Sequence, residues 1–314
     1  MHKENLRALV KNLLRTNMTS EIDYKKISKG DKKELRSALT KVESFSAKDE
    51  ELLWASFLKL KKRPTLLGIV GTPGAGKSSF LNQLISYNRS KKPTSQLGML
   101  LIDPSNPDGG GALLGDRVRL KKFFLDDGVY IRSVSNKGDV SGLTPHLDKY
   151  IMILSHFPFD TVTIESVGGG QSTTYLRDYV DNLILLYDPN SGDGIQHLKS
   201  GVLDVADCIV VSKADLFNTK SISNSLYEWG SKHTQIFDVD LLNGEPDFIG
   251  KINLKKSKDS QSFQLGYLKR RLTKELHNVI DEFSNSYPSK TPLTEDSYRL
   301  YWEKFSTFFQ EKSK

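Results

Sequence analysis

The first 63 residues have the apolar spacing that is typical of helices. Apolar residues recur every three or four positions from Leu6 to Leu14, and Lys and Arg occupy the other face. Asp31 is a suitable cap for a second helix, and Glu34, three residues later, completes a capping-box-like start. A third helix is expected from about Lys48 to Leu60. We therefore predict a helical extension over residues 1–63.

From Thr65 onward the pattern changes to short apolar runs separated by helical stretches. Gly, Asp or Asn bounds each run. Strands that alternate with helices predict an α/β fold with a mainly parallel sheet. The expected strands are Thr65–Val70, Gly98–Ile102, Val129–Ile131, Asp160–Ile164, Asn182–Leu186 and Cys208–Val211. The expected helices between them are Lys77–Asn88, Arg117–Leu125, Leu143–Ser155 and Ser221–Trp229.

The C-terminal part of the chain is predicted to be helical again. Residues 253–262 are polar and rich in Lys and Ser, as in a linker or an exposed loop, and helices are expected at Leu265–Phe283 and Glu295–Gln310. The predicted organisation is thus a helical extension over residues 1–63, an α/β domain over residues 64–252 and a helical region over residues 253–314.

Charge and cysteine content narrow the class of protein. The net charge of +7 comes from residues 1–63, which contain 16 Lys and Arg against 9 Asp and Glu. Basic residues are not interleaved with aromatic residues, and no apolar run is long enough for a membrane span, so we expect neither nucleic acid nor a membrane as a partner. The single cysteine, Cys208, excludes an intramolecular disulfide. We expect a cytoplasmic protein, or one of the mitochondrial matrix in a eukaryote.

The segment Gly71–Ser78 has the sequence of a phosphate-binding loop. It fits the pattern G-x-x-x-x-G-K-[ST], follows an apolar strand and opens a helix. Glycines at these positions allow backbone N–H groups to converge on phosphate oxygens, and Lys77 supplies a positive charge to the β- and γ-phosphates. The residues predicted to bind the nucleotide here are Gly71, Gly74, Ala75, Gly76, Lys77, Ser78 and Ser79.

Three carboxylates are candidates for a magnesium site beside this loop. Asp103 and Glu165 each end a predicted strand, and Asp116 follows the glycine-rich loop 108–115. Mg²⁺ prefers oxygen ligands, and parallel sheets bind ligands at the carboxyl ends of their strands. Any one of these carboxylates could instead be a helix cap or a solvated loop charge. We predict metal binding by Ser78, Asp103, Asp116 and Glu165, and we expect Lys77, Asp103 and Glu165 to be catalytic.

A candidate for base recognition follows the strand Cys208–Val211. The sequence there is Ser212-Lys213-Ala214-Asp215. A carboxylate at this position can accept hydrogen bonds from N1–H and from the exocyclic amine of guanine, whereas adenine does not present both donors. We therefore expect Lys213 and Asp215 to bind the base of GTP or GDP.

These motifs together resemble the MeaB/ArgK family of GTPases, the chaperones of adenosylcobalamin-dependent acyl-CoA mutases. The resemblance covers about residues 25–216. It is densest in the phosphate-binding loop and in three further blocks. These are Asp103-Pro104-Ser105 with Gly109–Arg117, Ile164–Ser172, and Gly192–Gly201, which is similar to the third switch loop of the family.

The resemblance implies a fold, a partner and further site residues. The fold would be a P-loop domain of the SIMIBI class, with Ser78, Asp103, Asp116 and Glu165 around Mg²⁺. Asp193, Gln196 and Lys199 would couple the state of the nucleotide to the mutase, with Lys199 among the catalytic residues. The family forms homodimers through C-terminal helices, and this chain has an aromatic stripe between Tyr298 and Phe309 that could pack either on its own domain or in a dimer.

The sequence also departs from the family, and other functions stay open. Ser212 stands where the family usually has Asn, and Thr173 where it usually has an acidic residue. A P-loop kinase that uses ATP is one alternative, because Ser212 leaves the base motif incomplete. A metal-delivery GTPase is another, although the Cys and His clusters that it would need are absent from the sequence. A nucleotide-binding scaffold without turnover is the third.

Overall fold

The computed structural model describes nine parts of the chain, and the account of the fold is confined to them. They are residues 22–104, 120–139, 141–168, 171–190, 203–217, 219–229, 234–255, 260–286 and 304. The chain divides into two compact units, one that ends at Ser260 and one that begins at Gln261.

In the described residues before the first strand, 22–64, the chain forms three short α-helices. They are α1 (Tyr24–Ser28), α2 (Lys32–Lys41) and α3 (Ala47–Phe57). Asp31 caps α2 as predicted, because its carboxylate accepts hydrogen bonds from the backbone N–H groups of Lys33 and Glu34, both at 2.9 Å. The carboxylate of Glu34 does not complete a box with Asp31, however. It accepts from the N–H of Asp23 at 2.9 Å and so stabilises the entry to α1.

A seven-stranded sheet forms the centre of the first unit. The strands are β1 (Thr65–Gly71), β2 (Leu97–Asp103), β3 (Val129–Ser135), β4 (Thr161–Glu165), β5 (Asn182–Tyr187), β6 (Cys208–Val211) and β7 (Gln235–Asp238). Their order is β3-β2-β4-β1-β5-β6-β7, and all six pairings are parallel. Strands β1, β2, β5 and β6 are almost continuously apolar and are buried on both faces, as parallel sheets require. The α/β fold with a mainly parallel sheet is confirmed.

Helices cover the sheet and connect its strands. They are α4 (Lys77–Lys91), α5 (Leu147–His156), α6 (Gln171–Arg177), α7 (Leu203–Val205) and α8 (Lys220–Trp229). Helix α3 packs against α5, so part of the N-terminal extension packs onto the helical layer of the first unit. Leu53 and Phe57 of α3 and Ile151 of α5 are buried.

Two helix predictions differ from the structure. The expected helix Arg117–Leu125 is not α-helical over residues 120–125, where Lys121–Phe123 forms one turn of 3₁₀ helix, and its first three residues lie outside the described parts. Helix α5 begins at Leu147, not at Leu143. The second unit contains α9 (Ser260–Ser286), which includes the predicted helix Leu265–Phe283. The helix predicted at 295–310 lies outside the described residues, apart from Lys304.

Candidate functional site

The glycine loop joins β1 to α4 and has the conformation that its sequence predicts. Gly74 and Gly76 have φ values of +81° and +87°, a region that side chains disfavour. Gly71 lies so close to β5 that a Cβ atom there would be 2.5 Å from the carbonyl oxygen of Leu186. The loop therefore requires glycine at Gly71 for space and at the other two positions for backbone conformation. Helix α4 starts at Lys77, directly after the loop.

The charged end of Lys77 is held by the loop itself. Its Nζ donates to the carbonyl oxygens of Gly71 and Thr72, at 2.8 and 3.1 Å. Ala75 is buried in the core, and its N–H donates to the carbonyl of Thr72 at 3.1 Å. Gly71 and Thr72 therefore hold Lys77, and Ala75 helps to shape the loop.

A cavity of about 600 Å³ opens next to the loop. It is lined by residues of the loop, by the ends of β2 and β4, and by the segment after β4. The lining residues are Pro73, Gly74, Gly76, Lys77, Ser78, Ser79, Ile102, Asp103, Pro104, Glu165, Ser166, Val167 and Gly168. The fold thus brings together seven predicted site residues from three separate parts of the sequence, namely Gly74, Gly76, Lys77, Ser78, Ser79, Asp103 and Glu165. The volume is within the range of small-molecule sites.

The oxygen ligands in this cavity fit a magnesium ion. Asp103 is 1% exposed, Glu165 is 4% exposed and Ser78 is buried beside them. Mg²⁺ is commonly held by one or two carboxylates, a P-loop hydroxyl, substrate phosphates and water. Two carboxylates and one hydroxyl are consistent with that set. Over the described residues, no group of three or more His, Cys, Asp or Glu could hold a metal ion.

The base motif lies on the other side of the glycine loop. Its first residue, Ser212, follows β6, and its Cβ is 3.9 Å from the point where a Cβ on Gly76 would stand. The N–H and the hydroxyl of Ser212 both donate to the carbonyl oxygen of Tyr187, at 2.9 and 3.1 Å. Strands β1, β5 and β6 are neighbours in the sheet, so the phosphate loop and the base motif meet at one edge.

The other two residues of the motif are more accessible. Lys213 is half-buried with a φ of +60°, and its Nζ lies 2.5 Å from Oδ2 of Asp188. Asp215 is exposed, in a turn in which the carbonyl of Lys213 accepts from the N–H groups of Leu216 and Phe217. Asp215, three residues after Ser212, is therefore available to a base that enters from solvent.

Several predicted residues lie outside the described part of the chain. They are Asp116 of the metal set and Asp193, Gln196 and Lys199 of the third switch loop. The side chains of Gln171 and Thr173 are also outside it. Their roles stay predictions.

The structure adds residues that the sequence analysis did not identify. Gln83 on α4 donates from Nε2 to the carbonyl oxygens of Leu241 and Gly244, at 2.9 and 3.2 Å, and so fastens the turn after β7 to the phosphate-loop helix. Asp188 follows β5 and pairs with Lys213. The rule that pointed to Asp103 and Glu165, a carboxylate at the end of a strand, applies equally to Asp188.

Two titratable groups in the strands that lead to the site, Cys208 and Tyr187, are not reactive centres. Burial raises the pKa of the Cys208 thiol to about 12, so it is protonated and inert near neutral pH. Burial and, to a smaller extent, the charge of Asp188 raise the pKa of the Tyr187 phenol. Both side chains belong to the packed sheet.

Comparison with solved structures supports the fold. The crystal structure of LAO/AO transport system kinase superposes with a TM-score of 0.59 at 20% identity and covers 99% of both chains. At that identity the likeness concerns the fold alone. No helix among the described residues is long and apolar enough to cross a membrane.

Comparison with other sequences identifies the family. GTPase ArgK of Escherichia coli is 31% identical over 211 residues, which are 65% of this chain and 62% of the relative. The mitochondrial methylmalonic aciduria type A homolog of Mus musculus is 34% identical over 208 residues, which are 61% of this chain and 49% of the relative. The chain therefore spans less than two thirds of the length of either relative. The model of the methylmalonyl Co-A mutase-associated GTPase MeaB matches residues 35–236, about two thirds of the chain, and the chain belongs to the MeaB family.

Proposed function

We propose that this chain is a Mg²⁺-dependent GTPase that serves as a chaperone for an adenosylcobalamin-dependent acyl-CoA mutase. One observation carries the hydrolase part: a single cavity joins the phosphate loop, through Lys77 and Ser78, to the buried carboxylates of Asp103 and Glu165. The proposed GTPase domain is residues 64–252, with a helical extension before it and a C-terminal helical region after it.

The chain's own groups would act on the phosphates as follows. Hydrolysis adds water to the γ-phosphorus and breaks its bond to the bridging oxygen, so negative charge must be stabilised there. Lys77 now donates to two neutral carbonyls, and charged phosphate oxygens are stronger acceptors for the same donors. The N-terminus of α4 adds its dipole and its N–H groups. Ser78, Asp103 and Glu165 would hold Mg²⁺, which would supply positive charge to the phosphate oxygens.

The choice of guanine would rest on Asp215. Its carboxylate can accept two hydrogen bonds from guanine, whereas adenine has an acceptor at N1 and would leave the carboxylate unsatisfied. A site that hydrogen-bonds a ligand group discriminates against an analogue that lacks the group. Asp215 is exposed and stands three residues after Ser212, which lies next to Gly76 of the phosphate loop, and this placement supports the role.

The mutase partner is supported by the family. The matching family model is described as a methylmalonyl Co-A mutase-associated GTPase, and the mouse relative is named for methylmalonic aciduria. We infer that GTP turnover gates loading or protection of the cobalamin cofactor, with Asp193, Gln196 and Lys199 as the coupling residues. A homodimer through the C-terminal helices and a cytoplasmic location belong to the same proposal.

A turnover assay with four arms tests this function. The purified chain is incubated with GTP or with ATP, in Mg²⁺ or in EDTA, and each arm is repeated with purified adenosylcobalamin-dependent methylmalonyl-CoA mutase. We expect slow, Mg²⁺-dependent GTP hydrolysis that the mutase accelerates. ATP turnover at or above the GTP rate would favour the kinase alternative, and no turnover in any arm would favour the scaffold. GTP turnover at the same rate with and without the mutase would refute only the chaperone part of the proposal.

A further inference from the structure

A half-buried ion pair fixes the base motif to the end of β5. Nζ of Lys213 lies 2.5 Å from Oδ2 of Asp188, and the Asp188 side chain is 8% exposed. Its second oxygen, Oδ1, accepts from the N–H of Asn190 at 2.9 Å, which holds the carboxylate in one orientation. Both oxygens of Asp188 therefore have defined roles, and one of them is to position Lys213.

The backbone of Lys213 needs this support. Lys137 and Lys213 are the non-glycine residues with positive φ in the described parts of the chain, and Lys213 has a φ of +60°. A side chain in this region is unfavourable and persists only where its surroundings determine it. Such outliers concentrate at functional sites.

The conformation of Lys213 decides where Asp215 stands. The carbonyl of Lys213 accepts from the N–H of Leu216 at 3.0 Å and from that of Phe217 at 3.2 Å, and Asp215 lies inside the turn that these bonds close. If Lys213 left the left-handed region, its carbonyl would rotate and the turn would open. The carboxylate proposed to read guanine would then lose its fixed position.

The side chain of Ser212 is not available to hold the turn that carries Asp215. Its hydroxyl donates to the carbonyl of Tyr187 and is thereby committed to the backbone of β5. The family usually has an amide side chain at this position, which has more hydrogen-bonding groups and a longer reach than a hydroxyl. In this chain the next residue, Lys213, is held instead by its ion pair with Asp188.

We infer that Asp188 is a positioning residue for guanine recognition, acting through Lys213 on the turn that carries Asp215. It offsets the loss of the amide at Ser212, and the ligand group concerned is the guanine base. The inference rests on the proposed function, because it presupposes that Asp215 reads guanine. It predicts that Asp188 affects selection of the base and leaves binding of the phosphates unchanged.

Calorimetry on Asp188→Asn tests the inference with three ligands: GTP, ATP and inorganic tripolyphosphate. The variant keeps the shape and one acceptor oxygen but lacks the charge. We expect GTP to bind about tenfold more weakly, a size typical of coupling between contacting charged residues. Tripolyphosphate should bind as before, and the preference for GTP over ATP should fall. Asp188→Glu, which keeps the charge, should recover part of the GTP affinity.

The matched control is Asp207→Asn, at the opposite end of β6. Asp207 accepts from Nη1 of Arg177 at 2.6 Å and from the N–H of Leu183 at 2.9 Å, so this variant also breaks an ion pair of the sheet. It should lower the melting temperature and leave the GTP-to-ATP ratio unchanged. Equal loss of GTP and tripolyphosphate binding in Asp188→Asn, or an unchanged ratio, would overturn the inference.

A double mutant keeps the test decisive if Asp188→Asn alone does not fold. Asp188 is inferred to act only through Lys213, so Lys213→Met and the Asp188→Asn/Lys213→Met double variant should bind GTP equally. A further fall in the double variant would contradict the inference. Failure of the proposed function is seen separately, in the parent chain: ATP binding at least as tight as GTP binding refutes the function, whatever the variants do.

Discussion

Buried carboxylates have different roles at the two ends of the parallel strands, the amino edge and the carboxyl edge of the sheet. At the amino edge, next to β5, Asp181 is 4% exposed and receives two hydrogen bonds from Arg63, at 2.6 and 2.7 Å, and one from the N–H of Leu66 at 2.9 Å. At the carboxyl edge, Asp103 and Glu165 are as deeply buried but line a cavity together with the phosphate loop.

The difference shows that position decides what a buried carboxylate does. Asp181 is neutralised by a cation of the same chain, so it ties the segment before β1 to the sheet and contributes to stability. Asp103 and Glu165 face a space that a ligand can enter, at the edge where parallel sheets bind ligands. Changes at the amino edge should therefore alter stability, and changes at the carboxyl edge should alter nucleotide chemistry.

Asp181→Asn should give the largest effect, and it should fall on stability alone. The change leaves the buried Arg63 guanidinium without its counter-charge, and breaking a buried pair from one side costs about 3–5 kcal/mol. Chemical denaturation measures this loss. Lys92→Ala is the control, because it removes an exposed pair with Asp160, and such pairs contribute about 0–1 kcal/mol. Altered GTP affinity in folded Asp181→Asn would contradict the claim that the amino edge affects stability alone.

Lys77→Ala should lower GTP turnover and leave stability unchanged. The loss of a positioned charge at the phosphates is expected to lower GTP turnover about 10²- to 10³-fold, while the melting temperature stays close to that of the parent. Lys91→Ala, at the exposed C-terminal end of the same helix, should leave both quantities unchanged. If Lys77→Ala hydrolyses GTP at the parent rate, the cavity is not the active site.

Glu165→Gln should change the requirement for magnesium. It keeps the shape of the side chain and removes the charge, so the Mg²⁺ concentration at half-maximal turnover should rise about tenfold, with a change of less than about 1 kcal/mol in unfolding free energy. Glu50→Gln is the matched control, because Glu50 pairs with Lys149 on the helical layer, away from the cavity. An unchanged midpoint at an unchanged rate would exclude a metal role for Glu165.

Ser212→Asn should give the smallest effect, a gain in affinity for GTP. An amide reaches further than the hydroxyl that now bonds to Tyr187, and one added neutral hydrogen bond is worth about 0.5–1.5 kcal/mol, or around three- to tenfold in affinity. Calorimetry should show tighter GTP binding and unchanged ATP binding. If Asp188 already holds the motif in place, the gain should be at the lower end of this range, and weaker GTP binding would show that the amide does not fit beside Gly76.

Local sequence predicted the parts of the fold that depend on local signals. The apolar run 65–70 and the glycine loop after it predicted β1, the turn and the start of α4, because each signal spans only a few neighbouring residues. Strand β7 was missed because Gln235–Asp238 is an outermost strand of the sheet, is half exposed and has no continuous apolar run. The segment Arg117–Leu125 was predicted as one of the helices between strands, but the described part from Leu120 onward forms turns and a 3₁₀ segment.

The site was predictable residue by residue but not as an arrangement. The phosphate-loop motif identified Lys77 and Ser78, and strand ends identified Asp103 and Glu165. The closeness of Ser212 to Gly76 depends on β5 and β6 lying beside β1, an order that no local pattern encodes. The strand-end rule applied to Asp188 as well, but its pairing with Lys213, 25 residues away along the chain, is not encoded in a local pattern.

Nucleotide binding to the unmodified chain and to Asp215→Asn is the most direct test of the central claim, that the carboxyl edge of the sheet is a guanine-nucleotide site. Calorimetry in Mg²⁺ compares GTP, ATP and XTP. We predict that the unmodified chain binds GTP more tightly than ATP, and that Asp215→Asn shifts the preference towards XTP, whose C2 carbonyl requires a donor. Binding of ATP that is tighter than that of GTP by the unmodified chain would contradict the account.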